Sequence, residues 1–388
     1  MLKYLRASLL VAALLSVASM AFAAGAPVKN LLANPGFEKD LSGHDWMPTA
    51  WDTSEAGLST VFFGRDTFLV HSGKHAVSIA NTSTVWAMSH NWNQTILVGR
   101  EAWGKDAVLS VWTKSNGLQG RAYILLQAYR DTVTKMSRIW GVDRDAARRR
   151  MNVNKIDDPA IDLGWKRTQF DDPQSEWVQR EARVYVPRGT NVLFVRCGLI
   201  GTGQVLYDDA SLTLQAAAPV KAPPLATNLL ADPSFESGAL AWEQVAPPFE
   251  GARIDRDSSV AHSGRFSMRA SNMKDGLVQT RMGLTQPLPG RPLAGKRVRL
   301  TAWMKADSLR STAYVKVYAH SANGMTQSPG AELLSGTFDW TPLSIEFDVP
   351  KDAVQVWPWA VFNAPCDGTI WFDDVELAVL GPVKPSGK

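Results

Sequence analysis

The stretch Asn30-Leu-Leu-Ala-Asn-Pro-Gly-Phe-Glu38 decides the architecture, because it returns later in the chain as Asn228-Leu-Leu-Ala-Asp-Pro-Ser-Phe-Glu236. Four further matches follow in the same order: a His-Ser-Gly turn at 71–74 and 262–265, a Trp-containing segment at 109–114 and 300–305, Trp177 and Trp340 each ten residues before a proline, and an Asp-Asp pair at 208–209 and 373–374. Five ordered matches predict an internal repeat in which each copy is one domain.

The segments around these motifs set the expected boundaries. Copy one is expected to span 28–214 and copy two 228–380, with an Ala- and Pro-rich linker at 215–227 and a disordered tail at 381–388. Such a linker extends by about 3.1 Å per residue, so it can separate the copies by up to about 40 Å. Ala128 to Trp177 covers 49 positions and Ala319 to Trp340 covers 21, so copy one has an insertion of 28 residues within 130–175, including a predicted helix at 143–151.

The composition limits the class of protein. Of 388 residues, 45% are hydrophobic and 20% are charged, which excludes a largely disordered chain. The net charge of +4 is too small to indicate a nucleic-acid partner. Cys197 and Cys366, which fall at non-equivalent places in the two copies, cannot form a disulfide framework. Two buried free thiols or one interdomain disulfide both remain open.

The N-terminus resembles a targeting segment. Lys3 and Arg6 precede an apolar run at 7–22, and Ala21-Phe22-Ala23 provides small residues where a signal peptidase cleaves. We expect a signal peptide at 1–23 and a secreted or periplasmic protein with no stable membrane insertion, because the run is short for a membrane span. An uncleaved N-terminal anchor is the alternative.

Short segments rich in β-branched and aromatic residues dominate both copies. Ala122-Tyr-Ile-Leu-Leu-Gln127 and Ala313-Tyr-Val-Lys-Val-Tyr318 are examples, and Gly, Pro, Asn and Asp separate such segments. This pattern is typical of strands in an all-β sandwich. The sequence therefore predicts two tandem jelly-roll β-sandwich domains.

Together these motifs resemble the carbohydrate-binding modules of families 4, 9 and 22, which belong to the galactose-binding-like group. The resemblance spans nearly all of both copies and rests on the opening motif, the His-Ser-Gly turn, the Trp-containing strand and the closing Asp-Asp strand. It implies a jelly roll that binds a polysaccharide or oligosaccharide. Modules of these families usually accompany glycoside hydrolases.

The closing strands carry acidic residues in apolar surroundings. Strict alternation places Asp373 on one face with Trp371, Val375 and Leu377, and Asp208 is placed equivalently in copy one. A buried carboxylate needs a charged partner, a metal or hydrogen-bond donors. The resemblance implies a structural Ca²⁺ in each copy, with ligands from Gly36, Glu38, Lys74 and Asp208 and from Ser234, Glu236, Arg265 and Asp373. Carboxylates that accept backbone N–H bonds without a metal are the alternative.

Aromatic residues of copy two form the candidate sugar site. Trp357 and Trp359 share one face of a predicted strand, and Tyr314 and Tyr318 share a face of another. Their expected polar neighbours are Gln355, His320 and Asn363. The alternative is that the tryptophans fill the sandwich core.

Copy one lacks this pattern and offers other features. Val192 and Phe194 are expected at the places of the two tryptophans. The insertion carries Trp140, Trp165 and the basic run Arg148-Arg-Arg150, which fits either an anionic polymer or a solvated surface. The two copies are therefore not expected to bind the same ligand.

None of the common catalytic motifs occurs: the chain has no Gly-x-Ser-x-Gly, no His-Glu-x-x-His and no phosphate-binding glycine loop. The leading hypothesis is a secreted, non-catalytic carbohydrate-binding protein. The second is an extracellular or envelope protein that binds other proteins or cell-surface polymer. The third is a glycan hydrolase that uses the insertion of copy one.

Overall fold

The computed structural model describes residues 29–54, 60–83, 89–130, 161–171, 175–245, 252–272, 281–329, 333–363 and 367–384. These ranges form β-strands and one 3-10 turn at Arg100–Ala102. Within them, no helix has the length and apolar character that a membrane span requires. The predicted signal peptide, the predicted helix at 143–151, Trp140, the run 148–150 and Cys366 lie outside the described residues.

The described residues of each copy form ten antiparallel strands. Those of copy one are β1 (Asp40–Leu41), β2 (His44–Pro48), β3 (Asp52–Thr53), β4 (Val61–Asp66), β5 (Ala76–Asn81), β6 (Ser89–Leu97), β7 (Lys105–Arg130), β8 (Ile161–Phe170), β9 (Val178–Tyr185) and β10 (Val192–Ala216). Those of copy two are β11 (Glu243–Val245), β12 (Ala252–Asp257), β13 (Ser267–Asn272), β14 (Met282–Thr285), β15 (Leu288–Pro289), β16 (Lys296–Ser321), β17 (Gly324–Gln327), β18 (Leu334–Asp348), β19 (Ala353–Phe362) and β20 (Gly368–Pro382).

Long strands connect the two layers of each sandwich. In copy one, β7 pairs with β9 along its first half and with β8 along its second half, while β10 follows it throughout. Gly120 and Gly201 pair with each other between these halves, where each has a positive φ. A Cβ on either residue would meet backbone atoms of the other strand at 2.2–2.3 Å. Glycine therefore permits the close approach where both strands change layer.

Buried apolar residues form one core in each copy, which confirms the two tandem jelly-roll sandwiches predicted from the repeat. The first core includes Phe37, Trp92 and Ile124, and the second includes Phe235, Trp242 and Phe362. Cys197 is a free thiol in the first core, and burial raises its pKa, so it behaves as a small apolar residue.

The opening motif of each copy lies along its closing strand. The side-chain oxygen of Asn30 accepts the N–H groups of Leu32 and Leu212, and its amide donates to the Ala210 carbonyl at 3.1 Å. Asn228 makes the same three bonds in copy two. The first and last segments of each copy are therefore adjacent.

A β-bulge in each closing strand breaks the alternation assumed from the sequence. The ladder shifts at Asp208–Asp209 and at Asp373–Asp374, and the second Asp of each pair has a φ of 44°. The core residues around the second bulge are Ile370 and Phe372 before it and Val375 and Leu377 after it. The prediction that Trp371 and Asp373 share the core face is wrong. The Trp371 indole donates to Asp257, and Asp373 is buried against the turn at 262–265.

The predicted spacer does not hold the copies apart. Leu225 pairs with Val379, and the Arg121 guanidinium of copy one donates to the Trp242 carbonyl of copy two at 2.8 Å. The predicted tail also begins inside a strand, because β20 continues to Pro382. The two sandwiches therefore touch.

Candidate carbohydrate-binding site

The pairing of β16 with β19 decides where the two tryptophans point. Tyr318 is opposite Trp357 and Lys316 is opposite Trp359, so these four side chains share one face of the sheet. The alternating residues, including Val315, Val317, Val356 and Ala360, belong to the core of copy two. Trp357 and Trp359 therefore lie outside the core. We call their surface the aromatic face: Tyr314, Lys316, Tyr318, His320, Gln355, Trp357 and Trp359.

Ring contacts order the aromatic face. The His320 ring stacks on Trp357 with centroids 4.3 Å apart, and Tyr318 packs edge-on against Trp359 at 5.3 Å. Arg281 donates to the Tyr318 hydroxyl at 3.4 Å, and its guanidinium lies 6.0 Å from the Trp359 ring. Asn363 follows β19, and its backbone pairs with Thr312 at the far end of the same sheet.

Several polar atoms of this face are buried but have no hydrogen-bond partner within the described part of the chain. They are Trp357 Nε1, Trp359 Nε1, His320 Nε2, Gln355 Oε1 and Oγ1 of Thr285, the neighbour of Trp359 on β14. Burial lowers the pKa of His320 to about 4, so the ring is neutral at pH 7. A buried polar group without a partner costs about 1–3 kcal/mol. The face therefore favours a ligand with both donors and acceptors.

Sequence comparison shows what the domain that carries this face is similar to. Residues 227–360 match the family described as a carbohydrate binding domain. The match includes every residue of the aromatic face, and it confirms the resemblance that the motifs of copy two carry. It also supports binding of carbohydrate by this domain. No curated protein is significantly similar to the chain.

Solved structures similar to the chain include carbohydrate-binding modules. The tandem CBM22-1–CBM22-2 domain of Paenibacillus barcinonensis Xyn10C is 13% identical, covers 91% of this chain and 98% of its own, and has a TM-score of 0.32. The C-terminal family 22 carbohydrate-binding module of Clostridium thermocellum Xyn10B is 16% identical, covers 42% of this chain and 100% of its own, and has a TM-score of 0.32.

Copy one packs beside the aromatic face of copy two. The Trp165 ring on β8 packs edge-on against Trp357 with centroids 5.7 Å apart, and the Gln355 amide donates to the Trp165 carbonyl at 2.7 Å. Next to Trp165, Arg167 forms an ion pair with Glu243 of β11. Burial raises the pKa of Glu243, and Arg167 and Arg121 oppose that shift. The sequence analysis placed Trp165 only in the insertion of copy one, and residue spacing could not predict its contact with Trp357.

The equivalent face of copy one has different chemistry. Phe194 lies opposite Gln127, and Arg196 lies two residues further along β10. Since Ala122-Tyr123 matches Ala313-Tyr314, Phe194 and Arg196 occupy the places of Trp357 and Trp359. The expected pair of Val192 and Phe194 is therefore wrong by two residues. Arg196 lies over the Phe194 ring at 4.6 Å, so the two copies present unlike surfaces, as predicted.

The predicted calcium ligands converge on the His-Ser-Gly turns. Glu38 Oε1 accepts the N–H groups of Lys74 and His75, and Asp208 Oδ2 accepts those of His71 and Ser72. In copy two, Glu236 accepts from Arg265 and Phe266, and Asp373 accepts from His262 and Ser263. The carboxylates therefore hold each turn from two sides.

The second acid of each Asp-Asp pair has a role that the sequence did not reveal. Asp374 Oδ2 lies 2.6 Å from His262 Nδ1, and the His262 ring stacks on Trp303 with centroids 3.9 Å apart. Asp374 Oδ1 also accepts the Ser234 hydroxyl, so the side chain of Ser234 is engaged here. Asp209, His71 and Trp112 repeat this chain of contacts in copy one. The recurrence of all three residue types was the available signal.

These arrangements do not require a metal. The candidate carboxylates of both copies accept backbone N–H groups, and the described residues contain no group of three or more His, Cys, Asp or Glu that could hold a metal ion. Burial raises the pKa of Asp208 to about 6, although the hydrogen bonds from the N–H groups of His71 and Ser72 act to lower it. The residues fit hydrogen-bonded carboxylates, the alternative left open by the sequence.

Calcium binding stays a prediction with a direct test. Protein treated with a chelator is melted in a calorimeter with and without added Ca²⁺, with Mg²⁺ as the control. A bound structural ion would raise the melting temperature in Ca²⁺ alone, because a ligand that binds only the folded state stabilises it. An unchanged melting temperature leaves hydrogen bonding as the full account of these carboxylates.

Asp162 of β8 gives copy one a pH dependence. Its carboxylate accepts the Gly164 N–H and the Gln127 amide, yet burial raises its pKa from 3.8 to about 6. The folded state therefore binds the proton more tightly than the unfolded state, and this stabilisation is present below about pH 4 and lost as the pH rises through 6. Between pH 4 and pH 7, we expect the free energy of unfolding of the wild type to fall by up to about 3 kcal/mol more than that of Asp162→Asn. Urea unfolding at each pH checks this, and parallel pH profiles would contradict it.

Proposed function

We propose that the chain is a secreted, non-catalytic polysaccharide-binding protein that contacts its ligand through the aromatic face of copy two. The observation that carries the proposal is that Trp357 and Trp359 point away from the core, side by side, with both indole N–H groups buried and unpaired within the described residues. Sugars present C–H faces to aromatic rings and hydroxyl groups to polar atoms, so they match both features.

The neighbouring residues support this assignment. Tyr318 and Tyr314 extend the aromatic surface along β16, while Gln355 and His320 provide an acceptor and a neutral imidazole at one end. Asn363 is proposed as a polar contact at the other end. Lys316, whose ammonium lies 5.5 Å from the Tyr318 ring, and Arg281 border the rings with positive charge. These groups together favour several sugar units over a single small molecule.

Two further parts of the proposal rest on sequence and geometry together. Secretion is supported by the basic and apolar composition of 1–23 and by the small residues that end it. Absence of catalysis is supported by Glu243, the carboxylate next to Thr285 on this side of the sheet, which is held by Arg167 and Gln169. A glycosidase needs two available carboxyl groups about 5–10 Å apart.

A polysaccharide array tests the proposal. We expect the wild-type chain to bind at least one polysaccharide, and Trp357→Ala and Trp359→Ala each to abolish the signal. Trp46→Ala is the matched control, because Trp46 is an exposed tryptophan of copy one that packs on Trp92 and lies outside the aromatic face. Binding that survives both substitutions would disprove the assigned site. Release of reducing ends by the pure protein would disprove the non-catalytic assignment.

A second candidate function is protein interaction through copy one. Its first strands and the turn after β4 expose large apolar side chains, including Trp46, Phe62 and Phe68, the last of them 93% exposed. Large apolar side chains exposed to solvent are a feature of interaction surfaces. Sedimentation velocity tests a second copy as the partner: self-association that Phe68→Ser removes would favour this function, and a monomer at all concentrations would oppose it.

A further inference from the structure

A cavity of about 420 Å³ lies between the two copies, beside the aromatic face. Trp165, Lys166 and Arg167 of β8 line it from copy one, and Glu243, Arg291 and Gln355 line it from copy two. A volume of this size is within the range of about 300–1,000 Å³ that small-molecule sites have. Gln355 belongs to both the cavity and the aromatic face, and Trp165 of the cavity packs against Trp357, so the two are continuous.

The charges of the cavity are unbalanced. Its two carboxylates already have partners, since Glu243 pairs with Arg167 and Glu181 pairs with Arg183. Lys166 and Arg291 form no ion pair within the part of the chain that the structure describes, and the Arg291 guanidinium instead lies 3.9 Å over the Tyr185 ring. Arg183 also pairs with the buried Asp106, so Lys166 and Arg291 are the two lining cations that have no carboxylate partner among the described residues, and they favour an anionic ligand.

Two buried polar atoms of the cavity need partners of opposite kinds. Gln355 is 4% exposed, and its amide nitrogen donates to the Trp165 carbonyl. Its Oε1 atom therefore remains an acceptor without a donor among the described residues. Arg167 binds Glu243 through Nη1, while its buried Nε has no acceptor in the same residues. A hydroxyl group satisfies the first atom, and an oxygen or carboxylate satisfies the second.

An aromatic ring, an unpaired amide oxygen, an unpaired guanidinium nitrogen and surplus positive charge match one class of ligand. We propose that the interdomain cavity binds an acidic sugar residue, a uronate, of the polysaccharide whose neighbouring units lie on the aromatic face. The carboxylate lies towards Lys166 and Arg291, and a hydroxyl donates to Gln355 Oε1. This inference rests on the proposed function, because the same glycan chain occupies both places.

Isothermal titration with matched pairs of oligosaccharides tests the inference. The probes are tetrasaccharides of galacturonate, glucuronate and mannuronate, each compared with the same oligosaccharide after its carboxyl groups are reduced to alcohols. We expect the full-length chain to bind one acidic form about tenfold more tightly than its reduced form, which is the usual effect of a hydrogen bond to a charged group. Lys166→Gln and Arg291→Gln should each remove most of that preference and leave the affinity for the reduced form unchanged.

Control variants separate this inference from the proposed function. Arg310→Gln removes an exposed cation of copy two remote from the cavity lining, and it should not change the preference. Trp359→Ala should weaken binding of the acidic and reduced forms alike.

Equal affinity for both forms in the wild type would overturn the uronate site and leave the aromatic face standing. If the wild type prefers the acidic form but Trp357→Ala and Trp359→Ala lose no affinity, the aromatic face is overturned and the cavity site stands. Free galacturonate that binds as tightly as the tetrasaccharide would overturn a polymer as the ligand. No binding by any probe would overturn the uronate site, while the polysaccharide array decides the aromatic face.

Discussion

Replacing Asp373 with alanine is expected to lower the free energy of unfolding of copy two by about 3–5 kcal/mol. The side chain is fully buried and accepts three backbone N–H groups, from His262 at 2.8 Å, Ser263 at 3.1 Å and Asp374 at 2.8 Å. Alanine would leave all three donors without an acceptor and would release the turn that positions His262 on Trp303. The loss therefore combines unpaired buried donors with the opening of the bulge.

Urea unfolding followed by tryptophan fluorescence measures this loss, and hydrogen exchange of peptides assigns it to copy two. Asp373→Asn retains one carbonyl oxygen for the turn, so it should lose less than the alanine variant. Asp348→Ala is the matched control, because Asp348 pairs with Arg297 at the surface and such exposed pairs contribute at most about 1 kcal/mol. A loss in Asp373→Ala no larger than in Asp348→Ala would contradict the structural role assigned to the carboxylate.

Removing the rings of the aromatic face is expected to have the largest effect on binding. Trp357→Ala and Trp359→Ala should each weaken the best polysaccharide ligand about 30-fold or more, as for buried aromatic residues at the centre of an interface. Trp357→Phe and Trp359→Phe keep a flat ring but remove the indole N–H, so each should lose about 3- to 10-fold, the usual contribution of one hydrogen bond. The difference between the two series separates stacking from hydrogen bonding.

Titration calorimetry with the ligand found on the array gives these affinities. Trp371→Phe is the matched control, because the Trp371 indole donates to Asp257 at 2.9 Å on a strand remote from the aromatic face. Removing the Trp371 indole should leave the affinity for the polysaccharide ligand unchanged. Equal losses in Trp371→Phe and Trp359→Phe would show that the effect is a general loss of stability, and equal affinities in Trp359→Phe and the wild type would show that its N–H does not touch the sugar.

Most of the fold could be predicted from the internal repeat. Two β-sandwiches follow from five matched motifs because each match recurs at a structurally defined place, and the Asn30 and Asn228 contacts explain why the opening motif is retained. The tryptophans that recur in both copies as Trp112 and Trp303 are framework residues stacked on histidines. Trp51 and Trp242 form another matched pair, with their indoles bonded to the Asn34 and Asp232 carbonyls. Their unequal distance from the opening motif concealed that match.

The errors have physical causes that a sequence pattern does not show. Alternation failed at Asp373 because one residue in a left-handed conformation shifts the register of a strand, and Asp adopts that conformation more readily than most residues. The outward direction of Trp357 followed only from its pairing with Tyr318, since an aromatic strand face reads the same whether it lines a core or a groove. Contacts between the copies, such as Trp165 with Trp357, depend on the placement of two domains.

The bonds of Asn30 to the closing strand also set the order of events when the chain is synthesised. The amide of Asn30 reaches a carbonyl 180 positions later, so copy one stays open until nearly all of its residues have left the ribosome. Folds dominated by such distant pairings form slowly. A nascent chain stopped before residue 210 would therefore expose its first strands to proteases and chaperones, whereas one that has passed the linker would hold a closed first copy while the second is still being made.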